Sequence, residues 1–271
     1  MRLLRLIVTL LFIVMTVLFV GFYINEKMTT DHTIPVITVE GDIIDVSFQA
    51  TDEELLKGVT AYDKKDKDIT DKVIVESVSK FLGDGICKVT YAVCDSDNNV
   101  ANATRKIRYK NYESPKFSMK ESTCYSIYEK INISDIITAY DCIDGDISRS
   151  IIVTSDDFTS SVAGVFSIEI SVTNSKGDIS TIKIPLVVED RSISSPKITL
   201  KEYLVYADVG AEIDFSEYLV DATDNRGESV VDSVRIETNA DFNKAGTYSV
   251  HYYVTDSKGV QGHTILNVIV G

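Results

Sequence analysis

The stretch Ala139-Tyr-Asp-Cys-Ile-Asp-Gly-Asp-Ile-Ser148 decides the fold, because the chain spells it more than once. Ala61-Tyr-Asp-Lys-Lys-Asp-Lys-Asp-Ile-Thr70 is a second copy, and Ala222-Thr-Asp-Asn-Arg-Gly-Glu-Ser-Val230 is a shorter, decayed third. Ahead of each copy a proline opens an alternating strand, and these prolines (Pro35, Pro115, Pro196) stand 80 and 81 residues apart. A strand tolerates proline at its first residue because no ladder N–H is lost there. After each copy comes a longer strand, at residues 85–93, 164–172 and 246–254, in which apolar residues recur at every second position. That period marks a strand with one buried face.

The inward sets read as Cys87, Val89, Tyr91, Val93; Phe166, Ile168, Ile170, Val172; and Tyr248, Val250, Tyr252, Val254. Each strand closes on a polar turn, at residues 95–99, 174–177 and 256–259, built of types that accept left-handed backbone and bond their own main chain. Returning strands follow at residues 103–109, 180–188 and 264–270. A span of about 80 residues holds the strands of one small sandwich.

Valine, isoleucine, threonine and tyrosine in short runs, with no long helical period after the first residues, make the class all-β. The expected architecture is three tandem Ig-like β-sandwich domains behind an N-terminal transmembrane helix. The expected bounds are 1–33 for the cytoplasmic tip, helix and spacer, then 34–112, 113–192 and 193–271. Short polar linkers fall at residues 111–114 and 191–195. No C-terminal sorting motif follows the last strand, so the N-terminal helix is the expected tether.

Residues 6–24, LIVTLLFIVMTVLFVGFYI, run without a charge, close to the roughly 20 residues a helix needs to cross the hydrocarbon core. A cleaved signal peptide is the competing reading, but its apolar stretch is shorter, about 7–15 residues, and ends on small residues. An uncleaved signal anchor is expected. Arg2 and Arg5 on the short side place the N-terminus in the cytoplasm and the repeats outside. The net charge of −14 is the wrong field for phosphate backbones, which excludes a nucleic-acid binder.

Taken in order, the acidic motif, the glycine-led alternating strand ending in Thr-Asn or Thr-Asp, and Ser-Lys-Gly resemble the bacterial Ig-like repeats of Gram-positive surface proteins and adhesins. The same modules occur appended to secreted crystal toxins. The resemblance covers nearly all of residues 34–271. It implies an Ig-like sandwich, an extracellular address and a spacer or adhesion role, and it carries over no catalytic residue. Repeat 1 departs from the pattern with Lys67 where repeat 2 has Gly145, and repeat 3 loses it after Asp224.

In such a sandwich the acidic stretch lies at the same end as the hairpin turn. Asp63, Asp66 and Asp68 are then expected to approach Asp95 and Asp97, and Asp141, Asp144 and Asp146 to approach Asn174. Two readings stay open. The carboxylates can gather calcium at a domain junction, which asks for six to eight oxygens. Alternatively they cap turns by accepting backbone N–H bonds. Lys64, Lys65 and Lys67 interleave with the first set and oppose a cation. No catalytic, cofactor-binding or metal residue is assigned.

Cys87 and Cys94 share a strand at odd spacing and face opposite sides, so they cannot bond to each other. Cys87 reads as a buried thiol. Cys124 and Cys142 lie in one domain outside the cytoplasm, which leaves a disulfide between them open. Of the three histidines, His251 takes an outward position, as Lys88 and Glu169 do, and no nucleophile-elbow, zinc or phosphate-loop pattern accompanies them. Gly83-Asp-Gly85 reads as a strand-entry turn. The expected function is a non-enzymatic, membrane-anchored surface protein acting as spacer and protein-adhesion module. The alternative is a lectin-like module, with Tyr203, Tyr206 and Tyr218 as an aromatic platform in a chain without tryptophan.

Overall fold

The computed structural model describes residues 2–29, 31–83, 85–155 and 160–271. Met1, Thr30, Asp84 and residues 156–159 lie outside the described residues, and Asp84 takes with it the middle of the expected strand-entry turn. The chain divides into two compact units, Met1–Asn111 and Tyr112–Gly271.

The first unit opens on helix α1 (Arg2–Thr29). Its segment Arg5–Met28 is 24 residues long, apolar between its ends and exposed throughout. A helix that is apolar all round and covered by no protein is long enough to cross a bilayer. The strands follow: β1 (Val36–Val39), β2 (Ile43–Ser47), β3 (Val59–Asp63), β4 (Lys67–Asp68), β5 (Ile74–Val78), β6 (Ile86–Cys94) and β7 (Val100–Lys110). They form a three-stranded sheet, β1-β3-β4, and a four-stranded sheet, β2-β7-β6-β5. Strand β2 pairs parallel with β7, and the remaining pairs are antiparallel. One hydrophobic core, including Val59 and Ala61 of β3 and Val89 and Tyr91 of β6, joins the two sheets into a sandwich.

The second unit contains this plan twice. Strands β8 (Lys116–Met119), β9 (Cys124–Ser126), β10 (Ile137–Asp141), β11 (Gly145–Asp146), β12 (Ile152–Ser155), β13 (Gly164–Thr173) and β14 (Ile179–Glu189) give sheets β8-β10-β11 and β9-β14-β13-β12. Strands β15 (Lys197–Leu200), β16 (Leu204–Ala207), β17 (Leu219–Thr223), β18 (Arg235–Thr238), β19 (Gly246–Thr255) and β20 (Gln261–Val270) give sheets β15-β17 and β16-β20-β19-β18. Again the short strands β9 and β16 pair parallel with β14 and β20. The architecture is all-β, in tandem Ig-like sandwiches.

Burial follows the period of two. Cys87, Val89, Tyr91 and Val93 are buried, as are Ile168, Ile170, Val172, Val250, Tyr252 and Val254, with Phe166 and Tyr248 partly so at the strand entries. In repeats 1 and 3 the central tyrosine carries its hydroxyl inward and donates it to the carbonyl of Leu55 (2.8 Å) or Phe215 (2.8 Å). A buried hydroxyl needs such a partner. Repeat 2 has Ile170 there and needs none.

The repeated acidic stretch is accounted for residue by residue as fold chemistry. Its alanine, Ala61, Ala139 or Ala222, is buried on the strand that faces the core. The N–H of Ile69, Ile147 or Val230 bonds back to that alanine's carbonyl at 3.0, 3.0 and 2.8 Å. In the first two copies the hydroxyl of Thr70 or Ser148 accepts the alanine N–H at 3.0 Å. Gly145 sits at φ 72°, and Lys67 occupies the same left-handed conformation at φ 67°. A side chain there is strained, which is why the second copy uses glycine.

The two repeats of the second unit share one hydrophobic cluster. Strand β20 explains how. From Gly262 to Val268 it is buried continuously, on both faces, instead of alternating. Leu266 and Val268 face their own sandwich, while His263 and Ile265 face repeat 2. Ile265 is fully buried with Cys124 and Val187 of the second repeat. Further along, the hydroxyl of Tyr206 accepts the N–H of Phe117 at 2.8 Å, and Lys116 lies over the same ring. Repeat 3 therefore packs along the side of repeat 2 through the outer face of β20.

Candidate functional site

Two places concentrate polar chemistry among the described residues: the acidic loop ends, and the seam between repeats 2 and 3.

The loop ends meet as the sandwich topology requires. Asp66 takes the N–H of Ser96 at 2.6 Å and its hydroxyl at 2.8 Å, and Asp144 takes those of Ser175 at 2.6 and 2.7 Å. Asp63 accepts the N–H groups of Lys65 and Asp66, and Asp141 those of Ile143 and Asp144. Asp95 accepts from Asp97 N–H, Asn99 N–H and the Asn99 amide. Asn174 bridges Asp141 (3.1 Å) and the hydroxyl of Tyr112 (2.8 Å), which itself donates to Asp178 at 2.6 Å. Asp97 holds the Lys65 ammonium at 2.6 Å. Asp68 and Asp146 turn away to accept from Thr70 and Ser148.

The Ser96 hydroxyl keeps Asp66 below the usual carboxylate range, Thr70 does so for Asp68 and Ser148 for Asp146. Burial works against Asp95, but the donors from Asn99 and Asp97 outweigh it and its carboxyl is also lowered. Each of these carboxylates thus already accepts at least one N–H or O–H donor, although Oδ1 of Asp63 is buried without a hydrogen-bond partner. Among the described residues no three His, Cys, Asp or Glu side chains converge to hold a metal ion. In repeat 3 Gly227 and Arg226 replace the bridging aspartate, and Arg226 pairs with Asp224 and Glu228.

The Cys124–Cys142 disulfide that the sequence leaves open is not formed. All four cysteines are free thiols. Cys124 lies on β9 against Ile265, whereas Cys142 lies in the β10–β11 turn with its thiol toward the Glu113 carbonyl. They belong to opposite sheets of one sandwich, which is why they do not pair. Cys87 is fully buried and Cys94 exposed, as strand parity requires.

The aromatic platform is corrected as well. Tyr203 is buried, Tyr218 packs against the core, and Tyr206 is engaged with Phe117 and Lys116.

The seam was not foreseen. His263 is buried with its Nδ1 2.7 Å from Glu189 and its Nε2 3.0 Å from Nδ1 of His251. Tyr253 stacks on His263 at 4.3 Å between ring centres, and Arg235 lies over Tyr253. Arg191 pairs with Glu189 at 3.1 Å, and the Cys124 sulfur stands 3.8 Å from His263. The hydrogen bond from His263, then the pairing with Arg191, hold the Glu189 carboxyl below its usual range. Burial, and then the neighbouring His263, hold His251 below the ordinary imidazole value. Burial pushes the Cys124 thiol up to about 12, which leaves it protonated and no nucleophile. A polar cleft of about 360 Å³, lined by Glu189, Arg191, Ser192, Gln261 and His263 among others, opens beside the pair. The sequence did carry a signal for this seam: Thr264-Ile-Leu-Asn-Val-Ile-Val270 lacks the alternation of its two counterparts, as a strand buried on both faces does.

Comparison with known proteins places the last repeat. Residues 205–270 match the family described as bacterial surface protein, Ig-like domain. An uncharacterized 81.3 kDa protein of Acholeplasma phage L2 is 31% identical over 138 residues, covering 49% of this chain and 18% of the phage protein. The chain therefore spans under a fifth of that relative. Among solved structures, a Clostridium perfringens ZmpB structure of the M60 catalytic domain with CBM51-1 and CBM51-2 is 17% identical, covering 87% of this chain and 30% of that one at a TM-score of 0.25. The Drosophila N-cadherin EC1-4 structure is 13% identical, covering 89% and 67% at a TM-score of 0.22.

Proposed function

We propose that this is a non-enzymatic bacterial cell-surface protein, held in the membrane by α1 with its N-terminus in the cytoplasm, whose Ig-like domains act as a spacer and bind an extracellular protein. The domain bounds that go with it are 34–112, 113–192 and 193–271. The observation that carries the reading is the combination in one chain of an apolar 24-residue helix with no buried residue and three copies of an Ig-like sheet pair, the last within a bacterial surface family. Arg2 and Arg5 ahead of the helix support the orientation. Of the three tyrosines offered for sugar stacking, Tyr203 is buried and Tyr218 half-buried against the core, while Tyr206 keeps an exposed face; a platform of three is thus reduced to one exposed ring.

Protease added to intact cells tests the address. Loss of residues 34–271 with survival of a membrane-bound N-terminal fragment is expected, and a fully protected chain contradicts the reading. Binding is tested with surface-display variants. Because repeats 2 and 3 share a core, binding is expected to follow 112–271 as a block. Reproducible capture on a glycan array, with no protein ligand, would favour a lectin instead.

A further inference from the structure

The polar groups of the seam have a feature that packing alone does not require. A chain of titratable side chains crosses it, from Arg191 and Glu189 of repeat 2 and its linker to His263 and His251 of repeat 3. Among the described residues the ion pair that bridges the two repeats is Glu189 with His263; beside it lie the apolar trio Cys124, Val187 and Ile265 and the bond from the Ile265 N–H to the Ser122 hydroxyl.

We propose that the seam is an acid-released latch, closed while His251 and His263 share one proton and opened when both imidazoles are protonated. The geometry sets this rule. Nδ1 of His251 and Nε2 of His263 stand 3.0 Å apart, a separation that holds one hydrogen between them. With Nδ1 of His263 donating to Glu189, its Nε2 accepts from His251 or, once charged, donates to a neutral His251. A second proton puts N–H against N–H between two cations whose rings are already stacked at 5.2 Å.

The surroundings do little to absorb that second charge. Facing the pair are Glu189 from β14, Asp190 and Arg191 after it, Asp190 lining the cleft with His263, the neutral thiol of Cys124 from β9, Tyr253 on β19, and Arg235 and Glu237 on β18. Glu189 already serves His263 and Arg191, and Glu237 is joined to Arg235 at 3.4 Å.

The sign follows from linkage. His251 is held below the ordinary imidazole value, so its contribution to the closed seam is present above about pH 6.5 and is lost as pH falls through its lowered value. Glu189 is held below the ordinary carboxylate value, so its contribution persists until more acidic pH. The contribution of His251 is therefore lost before that of Glu189.

The test uses the full chain in detergent micelles and reads amide exchange, corrected for the intrinsic pH dependence of the rate. The reporters are amides that cross the seam: Ile265 N–H to the Ser122 hydroxyl, and Phe117 N–H to Tyr206. Between about pH 7.5 and about pH 5, protection at both is expected to fall at least roughly tenfold, while amides within β6 and β13 keep theirs. His251→Gln, which leaves one titrating imidazole, is expected to keep the seam protected at the lower pH. If that variant is already open at the higher pH, His251→Phe replaces it, retaining the stack without a titrating group. Unchanged protection in the native chain, or equal acid loss in the native chain and the variant, overturns the proposal.

Discussion

Asp144 and Ser175 are joined twice: the carboxylate takes both the backbone N–H and the hydroxyl of the serine, at 2.6 and 2.7 Å, across 31 residues of sequence. Asp66 and Ser96 repeat the arrangement in the first unit. One side chain thus ties the β10–β11 loop to the β13–β14 turn. Asp144→Ala leaves the Ser175 N–H to water at a loop end, so the cost is moderate, about 1 kcal/mol, or a drop of roughly 3 °C in melting temperature. Differential scanning calorimetry checks it; an unchanged transition would show the tie to be idle.

The same bonds bear on calcium. A cation must take over carboxylate oxygens that already accept Ile143, Asp144 and Ser175 N–H groups, and in repeat 1 it must also displace the Lys65 ammonium from Asp97. Ligand binding to the folded state raises stability by mass action. The expected outcome is therefore a melting temperature that moves by less than about 1 °C between millimolar calcium and excess chelator. A rise of several degrees would return these loops to the class of metal sites.

How much was legible in the sequence differs from place to place. The motif Ala139–Ser148, the proline spacing and the period of two gave the strands and the inward sets, because each rests on local geometry, whereas the meeting of the loops followed from the Ig-like topology that the resemblance implies. His263 was legible only as a residue beside a strand. Its role depends on which second surface covers the outer face of β20, and no local rule supplies that. The apolar run there was a sign of double burial without naming the partner. Arg105 was hidden for a similar reason: at the place held by Ile184 and Leu266, a cation reads as an outward residue until the strand's pairing is known.

Arg105 is buried and bonded entirely to neutral acceptors. Its two terminal nitrogens donate to the carbonyls of Glu40 (3.1 Å), Lys57 (3.0 Å) and Leu55 (2.7 Å) and to the Tyr91 hydroxyl (2.9 Å). Removing it strands those acceptors in the core even where the replacement fits by shape. Arg105→Leu, which copies repeat 3, is expected to destabilise the first unit by about 3 kcal/mol, and Arg105→Lys to recover little because a point ammonium cannot span the carbonyls. Urea denaturation followed by circular dichroism measures both. A neutral Arg105→Leu would mean the carbonyls find water.

The seam can be opened without acid. Ile265 stands at the place that Lys183 holds in the second repeat, opposite His251 where that repeat has Glu169. A lysine there is tolerated by a sandwich whose outer face meets water, but in repeat 3 it meets Cys124 and Val187. Ile265→Lys is therefore expected to leave both sandwiches folded and part them, since an unpaired buried ammonium is far costlier than a solvated one. The native thiols report the result. Cys124 is buried at the seam and Cys87 in the core of repeat 1, so peptide-level maleimide labelling compares them directly. Labelling of Cys124 should rise at least roughly tenfold while amides within β13, in the same unit as Cys124, keep their exchange protection and Cys87 stays unlabelled, which separates opening of the seam from unfolding of the second unit or of the whole chain. If Cys124 remains as protected as Cys87, the side-by-side packing of the two repeats is not held by β20. If both thiols become reactive, the substitution has unfolded the protein, and the milder Ile265→Ala must then reproduce the selective exposure for the packing to stand.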